Sequence, residues 1–270
     1  MNEKTSYAKE IAEFYKSLKI QLRVIYALLM REIITRYGRH NLGFAWLFLE
    51  PMLFTIGIAI LWSLIKDVHG NAISIIPFAI TGYSTILCWR NSSGRVANAV
   101  EANIGLLYHK NVKVLDVFLA RIFLECIGAT ISFIVLMSVA ILFNIITLPY
   151  DFLIMVYGWV LLIWFSIALA LTMGSLFQMS EVLDRLWHAF TYLMFPLSGT
   201  AFLVEWLPKN FQQFVLYIPT VHANELIRHG YYGELIRAQY DVSYLIEFNM
   251  MLTFVGLVLV RYVSRKVEEN

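Results

Sequence analysis

The chain has 270 residues, 59% of them hydrophobic and only 15% charged, with a mean hydropathy of +0.66. One water-soluble core of this length cannot bury that much apolar surface, so lipid must solvate much of it and the chain reads as an integral membrane protein. The net charge of +2 is too small to argue for nucleic acid, and Cys88 and Cys126, in apolar segments without CxxC spacing, argue against a disulfide framework or a zinc site.

Residues 1–41 read as a cytoplasmic arm without the pattern of a removable signal peptide, which makes the first span an uncleaved anchor. Within the arm, Leu18, Leu22, Ile25, Leu29 and Ile33 alternate in steps of four and three, with Lys19, Arg23 and Arg31 elsewhere. That spacing predicts an interfacial amphipathic helix over residues 18–36, whose polar side could also hold a partner protein. Residues 42–65 then run without a Lys or Arg and are long enough to cross a hydrocarbon core of about 30 Å. Arg31, Arg36 and Arg39 stand just before this first span, facing anionic headgroups.

A second span is expected at residues 73–89, followed by a polar interval. There Ser92 or Ser93 caps a short amphipathic helix that offers Asn98, Glu101 and Asn103 to a partner. Residues 118–146 and 152–177 form spans three and four around the turn TLPYD, and span five starts at residue 187. PLSG at 196–199 interrupts it. Irregular backbone at membrane depth survives only inside protein or beside a water-filled cavity, so residues 205–230 read as re-entrant short helices, with Thr220 as an N-cap. The sixth span covers residues 245–263, and residues 264–270 form a tail. With both termini inside, 17 of the 21 Lys and Arg fall on the cytoplasmic side, and only Lys66, Lys209, Arg228 and Arg237 lie outside.

The sequence carries no phosphate loop, HExxH or nucleophile elbow, and its six histidines are scattered. Catalysis is therefore not expected, and no cofactor is assigned to this chain. Glu50 is the most telling single residue, because it lies roughly 12 Å into the first span, where an unpaired carboxylate is expensive. It should face an aqueous cavity or a partner, unless it snorkels to deep headgroups. Trp46 and Phe54 flank it on the same helix face. Arg121 and Glu125 form an (i, i+4) pair with a structural role. Among the aromatics, Trp46, Phe54, Tyr83, Trp89, Tyr192 and Phe195 are the candidates to line a path with Glu50, since a sugar polymer can slide past flat ring faces. For most others, Trp164 included, an interfacial belt or core packing is the expected role.

The runs LLMREIITRYGRHNLGFAWLFLEP, EANIGLLYHKNVKVLDVFLARIFLE and WLPKNFQQFVLYIPTVHANELIR resemble the permease subunit of bacterial polysaccharide exporters of the ABC type 2 class, in the capsular, KpsM-like branch. The resemblance implies an all-α, six-span membrane subunit that homodimerises, pairs with two copies of a separate ATPase, and exports a lipid-linked acidic polysaccharide across the bacterial inner membrane. ATP and magnesium then belong to the partner, and a periplasmic adaptor and outer-membrane export proteins are expected with it. The family's coupling helix matches residues 93–109, with Asn98, Glu101, Asn103, Leu107 and His109 against the ATPase. Arg36, Arg39 and His40 match the lipid-anchor end of the substrate, and Lys209 with Arg228 leave an exit that tolerates polyanions. An O-antigen or teichoic acid exporter is the neighbouring reading. A membrane-embedded polymer-modifying transferase, with Glu50 or His40 essential, and an assembly scaffold are the competing ones.

Overall fold

The computed structural model describes residues 3–38, 41–64, 73–107 and 112–269, and every regular element among them is helical. The first, α1 (Glu3–Tyr37), is a single 35-residue helix, longer than the helix over residues 18–36 that periodicity predicts. Leu18, Leu22, Tyr26, Met30 and Ile34 are exposed along its outer side, while Gln21, Leu28, Glu32 and Arg36 turn toward the bundle. Ile25, Leu29 and Ile33 lie half-buried between them. An apolar outer stripe suits the surface of a bilayer.

Next come α2 (Asn41–Leu64), α3 (Ile75–Arg95), α4 (Ile104–Leu107), α5 (Val114–Leu142) and α6 (Phe152–Met179). They are followed by α7 (Glu181–Met194), α8 (Lys209–Val215), α9 (Pro219–Tyr232) and α10 (Val242–Glu269). Four helices are long and apolar enough to cross a membrane, at Ala45–Leu64, Val114–Leu142, Phe152–Met179 and Val242–Val267. Two of the six expected spans, residues 73–89 and 187–204, do not reach that mark among the described residues. The physical reasons differ. α3 is the central helix, buried continuously from Pro77 to Trp89, so its outward chemistry is met by protein and not by lipid. Its hydroxyls bond back to its own turns, Thr81 to Pro77, Ser92 to Cys88 and Ser93 to Trp89. Ser92 and Ser93 thus belong to the interior of α3 and cap nothing, and a 3-10 turn at Glu101–Asn103 with α4 follows where one helix over 93–109 was expected. α7 stops after 14 residues because the chain breaks at PLSG, with Gly199 at φ 79°, a conformation that favours glycine.

α2 approaches α3 and α5 through the buried stripe Leu47, Pro51, Thr55 and Ala59. Pro51 interrupts no packing there, since the Thr55 hydroxyl donates to its carbonyl at 2.9 Å. Asp151 caps α6, accepting from Leu153 and Ile154 at 2.9 and 3.0 Å, and the Tyr150 and Asp151 amides close onto the last carbonyls of α9. Thr220 is inside α9, behind Pro219, and Ile218 occupies the cap position that was expected of it.

α9 is buried along almost its whole length, and its organiser is Arg228. The guanidinium donates to the carbonyls of Gly199 and Phe202 at 2.6 Å and to that of Thr200, and its carbon lies 3.7 Å from the centre of the Phe78 ring. No carboxylate among the described residues stands within ion-pair distance of it. Burial pulls its pKa down to about 10, against the opposing field of Glu225, so it stays charged at neutral pH. Glu225, one turn earlier, accepts from the amides of Val204 and Gln239, both at 3.0 Å. Arg228 therefore pins the broken segment after α7 and leaves the proposed exit to the exposed Lys209, which corrects its assignment as an exit cation. Arg228→Met leaves three carbonyls without their donor and should lower stability by about 3 kcal/mol or more, read from thermal unfolding in detergent. An unchanged transition would contradict the clamp.

Candidate functional site

The arginine-rich end of the bundle is built from two pairs of charges, each one helical turn apart. Glu32 and Arg36 lie on the inner side of α1, and Arg121 and Glu125 lie on α5. The two helices ascend together, so opposite charges meet. Glu32 forms an ion pair with Arg121 at 3.0 Å, and Arg36 donates to Glu125 and, at 2.8 Å, to Glu32. Arg121 and Glu125 do not pair with each other, as their spacing had predicted, because each finds its partner on a neighbouring helix.

Arg95, the last residue of α3, closes the network. Its guanidinium reaches Glu125 at 3.5 Å and Glu50 of α2 at 3.2 Å, while its carbonyl accepts from Arg121 at 3.2 Å. Glu125 is only 6% exposed and Glu50 is 52% exposed, which decides their weight. A buried carboxylate persists only when paired, whereas an exposed pair contributes about 1 kcal/mol at most. Burial works against the Arg36 cation, and the fields of Glu125 and Glu32 more than offset it, so its pKa lies above the ordinary arginine value. Further along the same two helices, the Gln21 amide donates to Asp116, which caps α5 through the Lys113 amide at 2.8 Å.

The network walls a cavity of about 580 Å³. Arg31, Glu32 and Arg36 face it from α1, Arg95 from α3 and Arg121 from α5, with Asn103 and His188 at its sides. Asn103 is buried, donating to the Ala99 carbonyl at 2.8 Å and accepting from Arg31 at 2.5 Å. His188 stands 3.6 Å from Asp184 one turn away on α7.

The sequence-derived candidates fall into three places. Along α3, Tyr83 is buried with its ring 6.0 Å from Phe54 and 5.3 Å from Phe195, so three of the expected path aromatics do come together. Trp62, Phe78 and Trp206 extend that ladder at 5.6, 5.7 and 5.2 Å, and no pattern in the sequence set these three apart from packing aromatics. Trp89 is buried in the core, and Trp46 is exposed away from it. Tyr192 is also exposed, with the Arg90 guanidinium 4.2 Å from its ring centre. In the 96–107 segment Asn98 and Glu101 are exposed and Leu107 is half-buried, while Asn103 turns inward to Arg31 and so is not free for a partner. Arg36 is engaged by two carboxylates; Arg39, His40 and His109 lie outside the described residues. Arg31 was expected only to face anionic headgroups, and Arg95, at the end of α3, was not singled out.

The fold and this site define a multi-pass helical membrane protein whose N-terminal arm is locked to its core helices by buried arginine–glutamate pairs. Residues 23–232 match the ABC-2 type transporter family, and the chain belongs to that family. It is 44% identical to the capsule polysaccharide export inner-membrane protein CtrC of Neisseria meningitidis serogroup B, over 94% of this chain and 96% of that protein. It is 40% identical to the capsule polysaccharide export inner-membrane protein BexB of Haemophilus influenzae, over 94% and 96%. With the polysialic acid transport protein KpsM of Escherichia coli the identity is 30%, over 90% of this chain and 94% of that one.

The two carboxylates next to Arg95 should respond differently to removal of their charge. Glu125→Gln leaves Arg36 and Arg95 short of a buried partner and should cost about 3–5 kcal/mol in thermal unfolding. Glu50→Gln should cost less than about 1 kcal/mol. The reverse order would contradict the assignment of Glu125 as the centre of the network.

Proposed function

We propose that the chain is the membrane subunit of an ATP-driven exporter that carries capsular polysaccharide out across the bacterial inner membrane. The observation that carries this reading is the near full-length identity to CtrC, a capsule polysaccharide export inner-membrane protein. The sequence contains no phosphate loop, so the energy enters from a separate ABC ATPase, two copies of which serve a homodimer of this chain. In this reading α3 and the α7 segment complete six crossings with the four apolar helices, both termini are cytoplasmic as the Lys and Arg distribution favours, and residues 205–230 lie at the periplasmic side.

The segment over 96–107 is the contact for the ATPase. Asn98 and Glu101 are its exposed polar side chains, and it joins α3 directly, so a push there is transmitted along a helix buried continuously from Pro77 to Trp89. The path for sugars runs beside the Phe54 and Phe195 rings, which pack on the buried Tyr83 and offer flat surfaces without fixed hydrogen bonds. The cargo is polysaccharide on a lipid anchor, passed on to a periplasmic adaptor and outer-membrane export proteins. An acidic polymer leaving an inside-negative cell gains about 2.3 kcal/mol per charge per 100 mV, so the barrier to overcome is dielectric and not the potential.

The test is loss of the gene in the native strain. Intact polymer should accumulate inside the cell and return to the surface when the gene is restored. Normal surface polymer in the mutant would overturn the function. Glu101→Arg should at the same time reduce copurification of the ATPase roughly tenfold while leaving membrane insertion intact. Undiminished ATPase recovery and transport would move the contact elsewhere.

A further inference from the structure

We infer that the outward face of α10 is a docking surface for a membrane-spanning helix of another protein, one that brings a Lys or Arg to meet Glu247. α10 is two-faced. Leu245, Asn249, Gly256, Val260 and Val263 are buried against the bundle, while Glu247, Met250, Met251, Phe254 and Val258 are exposed along the opposite side. Glu247 heads that otherwise apolar stripe, and among the described residues no ion pair or hydrogen bond reaches it.

The depth of Glu247 follows from the register of α10 on α6. Asn249 donates to the Leu161 carbonyl at 3.1 Å and Trp164 donates to Thr253 at 3.0 Å, so the two helices run side by side in the same direction. Glu247 is then level with about residue 159 of α6, roughly 12 Å past the Asp151 cap at about 1.5 Å per residue. Between those levels α6 exposes Phe152, Leu153 and Val156, so hydrocarbon already surrounds the helices before Glu247 is reached. A carboxylate turned to lipid at that depth is costly, and it persists where a partner's charge covers it.

A second copy of this chain does not supply that charge. A two-fold pair with α10 at its interface sets Glu247 against its own equivalent, and Arg261, the nearest cation on the helix, is roughly 21 Å away. α2 and α6 contain no Lys or Arg, and Arg121, the one in α5, is paired with Glu32. Arg90, Arg95 and Arg185 stand toward the arginine-rich end of the bundle, and the exposed Lys209 and Arg237 lie ahead of α10 altogether. The occupant is therefore a different protein. Met250 and Met251 beside Glu247 suit it, since flexible thioethers fill an irregular contact between helices. The inference depends on α10 crossing the membrane and on nothing that the chain exports.

The full chain, with p-benzoylphenylalanine in place of Met251, should be expressed in its native strain and irradiated in intact membranes. One discrete adduct with a second protein is expected, and its crosslinked peptide should be a membrane-spanning segment containing a Lys or Arg. Glu247→Gln should lower the adduct yield roughly tenfold at an unchanged membrane level of the chain, while Glu247→Asp should keep most of it. Glu247→Lys should abolish the adduct, and exchanging the partner's cation for Glu should restore it. An adduct with a second copy of this chain or with lipid alone, a partner segment without a cation, or a yield unchanged in Glu247→Gln would overturn the proposal.

Discussion

The structure depends on one buried carboxylate. Glu125 sits 6% exposed between Arg36 of α1 and Arg95 of α3, and each of the three helices would lose its orientation at this end without it. Taking a carboxylate out of water costs several kcal/mol, which only well-placed cations offset, so the three side chains specify one another. Hydrophobic packing is non-directional and would allow α1 to slide along α5. The charge register, Glu32 to Arg121 and Arg36 to Glu125, allows one position.

That constraint has a mechanical consequence. α1 lies along one side of the bundle with its apolar stripe outward, and α3 runs through its centre to Arg95, where the 96–107 segment begins. Because Arg95 touches Glu125 and Glu50 together, a displacement of that segment acts on α1, α2 and α5 at once. At the other end of α3, Arg228 and Gly82 hold the segment after α7 against the same helix, since a Cβ at Gly82 would meet the Thr200 carbonyl and the Arg228 guanidinium. One helix thus joins two arginine clamps, Arg95 on carboxylates and Arg228 on backbone carbonyls. In the proposed exporter this is the route by which work done by an ATPase on one side of the membrane reaches the other.

The membrane class, the apolar helices and the family were legible in the sequence, because lipid imposes long uncharged runs and leaves little freedom in how they are written. The site was legible only in part. Glu50 drew attention through its depth in the first span, yet it is the exposed member of its pair. Glu125, the buried one, looked dispersed because its partners lie 89 residues earlier in the chain and on a helix end. Arg228 read as an exit cation since sequence distinguishes a charged residue from an apolar one but not a guanidinium satisfied by carbonyls from one in water. α3 fell short as a span for a related reason. Thr81, Ser92 and Ser93 are polar in composition but spend their hydroxyls on their own backbone, inside protein.

The most direct measurement is a double-mutant cycle on Arg36 and Glu125, with Arg36→Gln, Glu125→Gln and the pair compared by equilibrium unfolding in detergent. The ionic lock predicts that the second substitution costs far less once the first is made, with a coupling energy of about 1.5 kcal/mol or more. Costs that add to within about 0.5 kcal/mol would mean the two residues act independently, and the account of α1 held to the core through Glu125 would be wrong.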